Sequence, residues 1–324
     1  MSVTQVSLQE SSLQESSLQE YLDEVFQGIY TEDEFRELQE SSVYMNALAG
    51  DYCKPKDTGG MEEWAVKNHP NAVQNPVYCD WYHGTWQILR LLNMVAVPKW
   101  YPFYRDTLAD ALTRVKRPNV LISAAADYGM LCTLHQAIEH AGVDADITLI
   151  DICQSPLESS EWYAARHGVS LKCKVDNLLS SSIPEHGYDL VVTDEFLTVL
   201  KDPDKPTIVK QWRRILKPGG FLVTTAMLGN PTTMELRDSY AAKARERLKQ
   251  YGPQLFPNYS TEFEESLIAN CERFASFHTR HMLRDEKQIR ELFTGAGFKF
   301  QVLSEVETPG ECVNPTYSFQ IAAT

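Results

Sequence analysis

The sequence predicts an α/β protein with a mostly parallel sheet that helices cover on both faces. After Pro118, short aliphatic segments alternate with longer segments in which apolar residues recur at helical spacing. This alternation is typical of parallel sheets, because the connection between two parallel strands usually contains a helix. The length of 324 residues allows one large domain with additions, or at most two domains.

The predicted strands are short and mostly aliphatic, as expected for strands buried between two layers of helices. They lie at residues 119–123, 146–151, 170–175, 188–193, 221–226, 298–303 and 317–321. Helices are predicted at residues 19–50, 158–167, 230–277 and 285–296. Gly297 directly follows the last of these helices and is well placed to end it.

Charge and composition indicate which partners to expect. The formal net charge of −14 repels nucleic-acid phosphates and anionic lipids, and it favours a neutral or cationic small-molecule substrate. The seven cysteines are scattered without a CxxC pair, which indicates a reducing compartment. Neither a signal peptide nor a membrane-spanning apolar segment is evident. We therefore expect a cytoplasmic monomer or homodimer without a membrane or nucleic-acid partner.

The turn after the first predicted strand is the first candidate for a cofactor site. Ligands of open α/β folds bind at the carboxyl ends of the strands, where the chain must let the ligand approach its backbone. Ser123, Ala124 and Ala125 are small enough for this, and Asp127 adds a carboxylate. Alanine, unlike glycine, does not reach positive φ at low cost. For this segment alone, an ordinary turn without a ligand is an equally good interpretation.

Polar residues follow the second and third predicted strands in the same way. Asp151, which precedes Ile152, ends the second strand, where a carboxylate can accept hydrogen bonds from both hydroxyls of a ribose. Asp176 and Asn177 follow the third strand and can hydrogen-bond the amino group and a ring nitrogen of adenine. A helix cap at Asp151 and simple turn chemistry after the third strand are the structural alternatives. We assign all four residues to cofactor binding.

Two adjacent carboxylates, Asp194 and Glu195, lie at the end of the fourth predicted strand. Charged groups at the mouth of a sheet cost solvation free energy unless they contact a partner. That partner is either the cationic part of a cofactor or the ammonium group of a substrate. Both residues are therefore candidate catalytic residues, and Asp194 is also a candidate cofactor ligand. A helix cap with an acidic first turn is the alternative.

Taken in order, these segments resemble those of the class I S-adenosylmethionine-dependent methyltransferases. The resemblance covers about residues 115–324 and is most specific at the Leu-Lys-Pro-Gly-Gly turn of residues 216–220, which precedes a hydrophobic strand. The other segments that carry it are residues 120–129, 149–151, 175–177, 188–192 and 295–298. It implies a Rossmann-like, seven-stranded sheet, with S-adenosylmethionine across the carboxyl ends of the first four strands and S-adenosylhomocysteine as the product.

The first turn departs from the family pattern, which usually has an acidic residue at the end of the first strand and a glycine-rich loop after it. Here Ile122 or Ser123 stands at the acidic position, and alanines replace two of the glycines. The resemblance therefore leaves open how the methionine half of the cofactor is held. The missing carboxylate is expected to come from Asp127 or from outside the loop.

The chain divides into three predicted regions. Residues 1–18 contain a repeat of Ser, Leu, Gln and Glu whose five-residue period places the leucines on no single helical face, so we expect disorder there. By resemblance to small-molecule members of the family, residues 19–114 form an N-terminal helical lid and substrate region. Residues 115–324 form the methyltransferase domain, in which residues 229–280 are a helical insertion over the active site.

The predicted lid contains an aromatic cluster that extends from Tyr78 to Tyr104. Tyr82 is placed to hold a sulfonium or ammonium group by cation–π attraction. His83 is the candidate general base, because its ordinary pKa suits proton removal near neutral pH. Structural roles are the alternative for both residues. His278 and His281 have no evident third ligand nearby, so we expect no metal site.

These assignments predict methyl transfer to a nitrogen of a small molecule, an amine or guanidine, with natural-product biosynthesis as one setting. The acidity of the chain and the Asp194–Glu195 pair favour nitrogen over oxygen. An O-methyltransferase that uses His83 as its base is the first alternative. A nicotinamide-dependent oxidoreductase would need a G-x-G-x-x-G turn, which the sequence lacks. A non-catalytic cofactor-binding protein would explain the altered first turn.

Overall fold

The computed structural model describes residues 18–52, 80–230, 232–256, 259–277, 279–310 and 316–324. Its strands are β1 Asn119–Ser123, β2 Asp146–Asp151, β3 Leu171–Val175, β4 Tyr188–Val192, β5 Leu216–Leu228, β6 Phe300–Glu307 and β7 Tyr317–Ala323. They form one seven-stranded sheet in the order β3-β2-β1-β4-β5-β7-β6. Strand β7 is antiparallel to both of its neighbours, and the other pairs are parallel. The predicted fold class is therefore confirmed.

Helices precede the sheet, connect its strands and form the insertion after β5. A π-helical turn at Leu22–Phe26 and a 3₁₀ turn at Pro98–Trp100 lie in the N-terminal region. The α-helices are α1 Glu32–Tyr52, α2 Asp80–Leu91, α3 Pro102–Thr113, α4 Gly129–Ala141, α5 Gln154–His167, α6 Phe196–Val199, α7 Lys205–Ile215, α8 Met234–Leu255, α9 Thr261–Phe277 and α10 Glu286–Gly295. No helix of the described residues is long and apolar enough to cross a membrane.

Two apolar cores lie on opposite faces of the sheet, because successive side chains of a strand point in opposite directions. Val120 and Ile122 of β1 face the core that contains residues of α1 to α5 and of the insertion helices α8 and α9. Leu121, between them, faces the core formed with α6, α7 and α10. Helices on both faces are thus confirmed, and the N-terminal helices lie on the same face as α8 and α9.

The Leu-Lys-Pro-Gly-Gly segment forms a bulge at the start of β5. The pairing between β4 and β5 jumps from Tyr188–Leu216 to Leu190–Phe221, so the intervening residues of β5 leave the ladder. Gly219 within this bulge has a φ of +77°, which other residues rarely adopt. The predicted turn is therefore present, and β5 extends from Leu216 to Leu228, beyond the predicted strand at 221–226.

The N-terminal region differs from the single predicted helix at residues 19–50. The chain breaks after the π-helical turn, where Gln27 and Gly28 have φ values of 50° and 78°. A reciprocal cap then starts α1: the Thr31 N–H donates to Glu34 Oε2 at 2.8 Å, and the Glu34 N–H donates to Thr31 Oγ1 at 3.3 Å. Leu18 is helical and buried, whereas the rest of the predicted disordered extension lies outside the described residues. The division into lid, domain and insertion stays a prediction.

Candidate active site

The turn after β1 takes a conformation that its sequence does not favour. Ala124 has a φ of +66°, and its N–H donates to the carbonyl oxygen of Ile150 at 2.9 Å. The next N–H, of Ala125, donates to Asp151 Oδ2 at 3.0 Å. Left-handed backbone in a residue other than glycine costs about 1–2 kcal/mol and tends to occur at functional sites. The missing glycine is thus replaced by a strained alanine that neighbouring strands hold in place.

Ala124→Gly should raise the free energy of unfolding by about 0.5–1 kcal/mol, because glycine removes the strain of the left-handed backbone but adds unfolded-state entropy. Urea denaturation measures this change. Ala165→Gly, on the exposed face of α5, is the matched control and should lower stability by about 1 kcal/mol. A loss of stability in both variants would show that Ala124 is not strained.

Ser123 does not present its side chain to the candidate cofactor site. The side chain is buried, and its Oγ accepts a hydrogen bond of 2.8 Å from the indole N–H of Trp212 in α7. The Ser123 carbonyl oxygen accepts from Thr193 Oγ1 at 2.5 Å, which ties the ends of β1 and β4 together. A ligand could therefore contact only the backbone of Ser123.

Asp151 is a buried carboxylate held by two loops. Its Oδ2 accepts from Ala125 and its Oδ1 accepts from the Cys153 N–H at 2.7 Å. Burial, assisted by the Cys153 side chain, raises the pKa of Asp151 to about 7. A carboxylate offers about four acceptor positions, so two remain for outside donors. Asp151 thus ends the second strand, as predicted, and its carboxylate also contacts the turn after β1.

Asp127 lies in a buried ion pair that the sequence did not indicate. Its Oδ2 contacts Arg90 Nη1 of α2 at 2.8 Å, and both side chains are almost fully buried. Its Oδ1 accepts from the Gly129 N–H at 2.7 Å. Arg90 Nε donates to the hydroxyl of Tyr30 at 3.0 Å. Asp127 therefore links the first turn to α2. The sequence signal for this contact was Arg90, an arginine within an amphipathic helix, and it was missed.

Arg90→Lys should lower the free energy of unfolding by about 1–2 kcal/mol. The lysine keeps the positive charge but cannot bond Asp127 and Tyr30 together, as the guanidinium fork does. Urea denaturation of this variant is compared with that of Arg117→Lys, whose ion pair with Asp146 is exposed and should matter by less than about 0.5 kcal/mol. Equal effects of the two substitutions would contradict the structural role of the buried pair.

Asp176 and Asn177 form a compact turn after β3. Asp176 Oδ2 accepts from Ser181 Oγ at 2.7 Å, and Asn177 Oδ1 accepts from the Leu179 N–H at 3.0 Å. Partial burial opposes ionisation of Asp176, but Lys174 and Ser181 outweigh it and lower the pKa of this carboxyl. Both the predicted polar cluster and the alternative turn chemistry are thus present.

Helix α2 contacts the loops after β1 and β2. His83 Nδ1 lies 2.7 Å from the carbonyl oxygen of Ala126. Burial opposes protonation of His83, but neighbouring Cys153 and Asp151 outweigh it and raise the pKa of the imidazole to about 9. Tyr82 stacks on Phe274 of α9, with ring centroids 4.5 Å apart. Tyr82 and Ile152 also pack around Cys153. His83 therefore lies close to Cys153 and Asp151, and Tyr82 packs on Cys153.

Asp194 and Glu195 form a half-buried carboxylate pair after β4. Asp194 Oδ1 accepts from Tyr104 at 2.9 Å and from Thr225 at 2.7 Å. Glu195 adopts a φ of +50°. The Glu195 carboxylate accepts from three hydroxyls, those of Tyr101 at 3.0 Å, Ser318 at 2.8 Å and Thr198 at 3.0 Å. Burial is the main cause that raises the pKa of both carboxyls.

The hydroxyl partners of these carboxylates were not predicted as site residues. Tyr101 and Tyr104 belong to the predicted aromatic cluster, where they look like core residues. Thr225 and Ser318 are polar residues inside buried strands, which is the signal that sequence reasoning missed. Together these hydroxyls donate to Asp194 Oδ1 and to both oxygens of Glu195, which offsets part of the cost of removing the pair from water.

Of the two histidines considered for metal binding, the structure describes only His281. The His281 N–H donates to the Thr198 carbonyl oxygen at 2.6 Å. Partial burial, together with the positive charge of Lys205, lowers the pKa of the His281 imidazole. His278 lies outside the described residues. Among the residues that the structure describes, no group of three or more histidine, cysteine, aspartate or glutamate side chains could hold a metal ion.

The chemistry of this site fits a nucleoside cofactor with a charged tail. The small residues at Ala124 and Ala125 let a ligand approach the backbone, and Asp151 keeps acceptor positions for two hydroxyls. Asp194 provides negative charge on the neighbouring strand of the same edge. This edge of the sheet has the features that the resemblance to class I methyltransferases implies for a cofactor site at the carboxyl ends of β1 to β4.

Comparisons with known proteins agree with this assignment. Residues 130–220 match the family model described as a methyltransferase domain. Phosphoethanolamine N-methyltransferase 3 of Arabidopsis thaliana is 27% identical over 94 residues, which are 28% of this chain and 18% of that protein. The match therefore spans less than a fifth of the length of this curated relative.

Solved structures show similar folds at low identity. An S-adenosylmethionine-dependent methyltransferase from Methanosarcina mazei is 20% identical, with 69% of this chain and 96% of that chain covered and a TM-score of 0.45. Another from Mesorhizobium loti is 13% identical, with 68% and 96% covered and a TM-score of 0.43. Residues 130–220 are thus similar to a methyltransferase domain, and the family and cofactor predicted from the sequence agree with this match.

Proposed function

We propose that this protein transfers the methyl group of S-adenosylmethionine to a nitrogen of a small-molecule amine or guanidine. The observation that carries the proposal is the half-buried pair of Asp194 and Glu195 at the carboxyl end of β4. A cationic acceptor would offset the cost of burying negative charge there. The N-methyltransferase activity in the name of the Arabidopsis relative supports nitrogen as the acceptor.

The cofactor has a set of proposed contacts along the neighbouring strand ends. Asp151 accepts hydrogen bonds from the ribose hydroxyls, Ile152 packs beside them, and Asp176 with Asn177 binds the adenine. The backbone of Ser123, Ala124 and Ala125 lies along the methionine half, and Asp127 orients this turn through Arg90. When bound, the cofactor supplies a methyl group on a positively charged sulfur. Asp194 faces that charge or the acceptor ammonium.

Oxygen as the acceptor is less well supported. An O-methyltransferase needs a general base, and His83 was the candidate. The contact of His83 Nδ1 with the Ala126 carbonyl oxygen and the raised pKa of the imidazole do not favour this role. We propose instead that His83 positions the turn through Ala126 and that Tyr82, beside it, covers the cofactor. The helices α2, α8 and α9 would then act as the lid of an enclosed small-molecule site.

Methylation of a panel of amines and alcohols with radiolabelled S-adenosylmethionine tests the proposal. We expect label in amine products and none in alcohol products. Transfer to alcohols alone would refute nitrogen as the acceptor, and binding of S-adenosylhomocysteine without transfer to any acceptor would favour a non-catalytic protein. The cytoplasmic location and the monomeric or dimeric state stay predictions.

Binding of S-adenosylhomocysteine should tighten as the pH rises from 6 to about 7.5. The free carboxyl of Asp151 has a pKa of about 7, and two ribose hydroxyls that donate to its ionised form would lower that pKa. Binding then releases a proton, so the affinity increases with pH until the free carboxyl is ionised. Calorimetry at several pH values measures this slope. A slope that persists in Asp151→Asn would assign the proton to another group.

A further inference from the structure

The two oxygens of the Asp194 carboxylate lie in different surroundings. Oδ1 accepts hydrogen bonds from the hydroxyls of Tyr104 at 2.9 Å and Thr225 at 2.7 Å, and two donors are what one carboxylate oxygen ordinarily accepts. Within the residues that the structure describes, Oδ2 accepts no hydrogen bond. Because Tyr104 lies in α3 and Thr225 in β5, two separate elements hold the carboxylate by one oxygen. The other oxygen stays available to a ligand at the carboxyl end of β4.

Glu195, in contrast, has a donor on each of its oxygens. Oε1 accepts from the hydroxyls of Tyr101 at 3.0 Å and Ser318 at 2.8 Å, and Oε2 accepts from Thr198 at 3.0 Å. These donors lie before β1, in β7 and in α6, so three parts of the chain hold this side chain. The Glu195 carboxylate is thus fixed beside Asp194, on which it acts through its charge.

The surroundings of Asp194 favour its protonated form. Burial is the largest cause that raises the pKa of this carboxyl, and the negative charge of the adjacent Glu195 comes second. Asp127, from the turn after β1, raises this pKa further, whereas the hydroxyls of Thr225 and Tyr104 lower it. A carboxylate whose pKa is raised towards neutral pH is better suited to take up a proton there than an ordinary aspartate.

An alkylamine is protonated at neutral pH, and its nitrogen has no free electron pair until a proton leaves. We propose that Asp194 Oδ2 is the general base that removes this proton from the ammonium group of the acceptor, and that Glu195 is a positioning residue that keeps Asp194 basic. The N–H bond breaks, its electron pair stays on nitrogen, and the proton forms an O–H bond at Oδ2. The nitrogen pair then bonds the methyl group of the cofactor, whose sulfur keeps the electrons of the broken bond. This inference rests on the proposed N-methyltransferase function.

Titration of the free protein by carbon-13 NMR of labelled aspartate carboxyls measures the proton affinity of Asp194 without any substrate. Its signal is assigned by its absence from Asp194→Asn. We expect this carboxyl to titrate well above the ~3.9 of an ordinary aspartate, and at lower pH in Glu195→Gln, which removes the charge but keeps an oxygen for Tyr101 and Ser318. Glu185→Gln, at an exposed position, is the control and should leave the titration unchanged. An ordinary titration of Asp194, or one that Glu195→Gln does not lower, would overturn the inference.

Steady-state kinetics of the full chain tests the proton transfer, with S-adenosylmethionine and the preferred amine both saturating. We expect kcat to rise with pH as Asp194 ionises, and this rise to move to lower pH in Glu195→Gln. Asp194→Asn should lower kcat roughly 100-fold, together with a smaller rise in KM for the amine. A rise in KM with an unchanged kcat would show that Asp194 binds the ammonium without removing its proton.

Methylation of amines by the wild type, with an unchanged kcat in Asp194→Asn, refutes only this inference. The absence of amine methylation by the wild type refutes the proposed function with it. Urea denaturation verifies the fold of each variant. If Asp194→Asn is unfolded, the pH dependence of kcat in the wild type and in Glu195→Gln decides.

Discussion

Asp151→Asn is expected to weaken the binding of S-adenosylhomocysteine by roughly 100-fold. The carboxylate already accepts from the N–H groups of Ala125 and Cys153, and it offers its remaining acceptor positions to the ribose. The asparagine side chain has one oxygen and one NH₂ group. The NH₂ group would face the N–H of Ala125 or Cys153, and that hydrogen bond would be lost. The loss of one or two charge-assisted hydrogen bonds corresponds to about 2–3 kcal/mol. Isothermal titration calorimetry measures the change in Kd.

Asp146→Asn is the matched control, because it changes the same residue type at the opposite end of β2. Asp146 is in an exposed ion pair with Arg117, far along the strand from the predicted cofactor. Its Kd for S-adenosylhomocysteine should stay within twofold of that of the wild type, a change of about 0.4 kcal/mol or less. If Asp151→Asn also binds within about threefold, the ribose does not lie at the end of β2. Urea denaturation separates lost binding from lost folding.

The sequence predicted those features that depend on local pattern. Alternating strands and helices follow from periodicity, and Asp151 follows from its position at the end of a strand. The bulge at Gly219 follows from the conformational freedom of glycine. The conformation of Ala124 could not be predicted in this way. The sequence makes left-handed backbone unfavourable there, and contacts with Ile150 and Asp151 of the neighbouring strand impose it.

Contacts between distant parts of the chain account for most of what the sequence did not show. Asp127 was predicted as a cofactor ligand, but its partner Arg90 lies on a helix that precedes the domain. The Glu195 carboxylate accepts hydrogen bonds from Tyr101, in the region before β1, and from Ser318, in the last strand. No local pattern links such residues, because only the packed sheet brings them together. Sequence spacing therefore located the carboxylates, whereas the fold determines what each of them bonds.

Asp194→Asn should lower kcat/KM for an amine acceptor by about 30- to 1,000-fold and leave the fold intact. Tyr104 and Thr225 both donate to Oδ1, which the amide oxygen of asparagine can replace. The substitution therefore removes charge and keeps the hydrogen bonds that hold this loop. Loss of one partner of a buried charge pair costs about 2–4 kcal/mol. Steady-state kinetics with the preferred amine measures the effect, and urea denaturation verifies the fold.

A control variant, the cofactor affinity and the KM for the amine together show which positive charge Asp194 faces. Asp106→Asn, on the exposed side of α3, removes a carboxylate from an exposed ion pair and should keep wild-type kinetics. If Asp194→Asn loses affinity for S-adenosylmethionine with an unchanged KM for the amine, the carboxylate faces the cofactor sulfonium. If KM for the amine rises while cofactor affinity is kept, it faces the acceptor. Wild-type values for both would show that Asp194 serves only to hold Tyr104 and Thr225 in place.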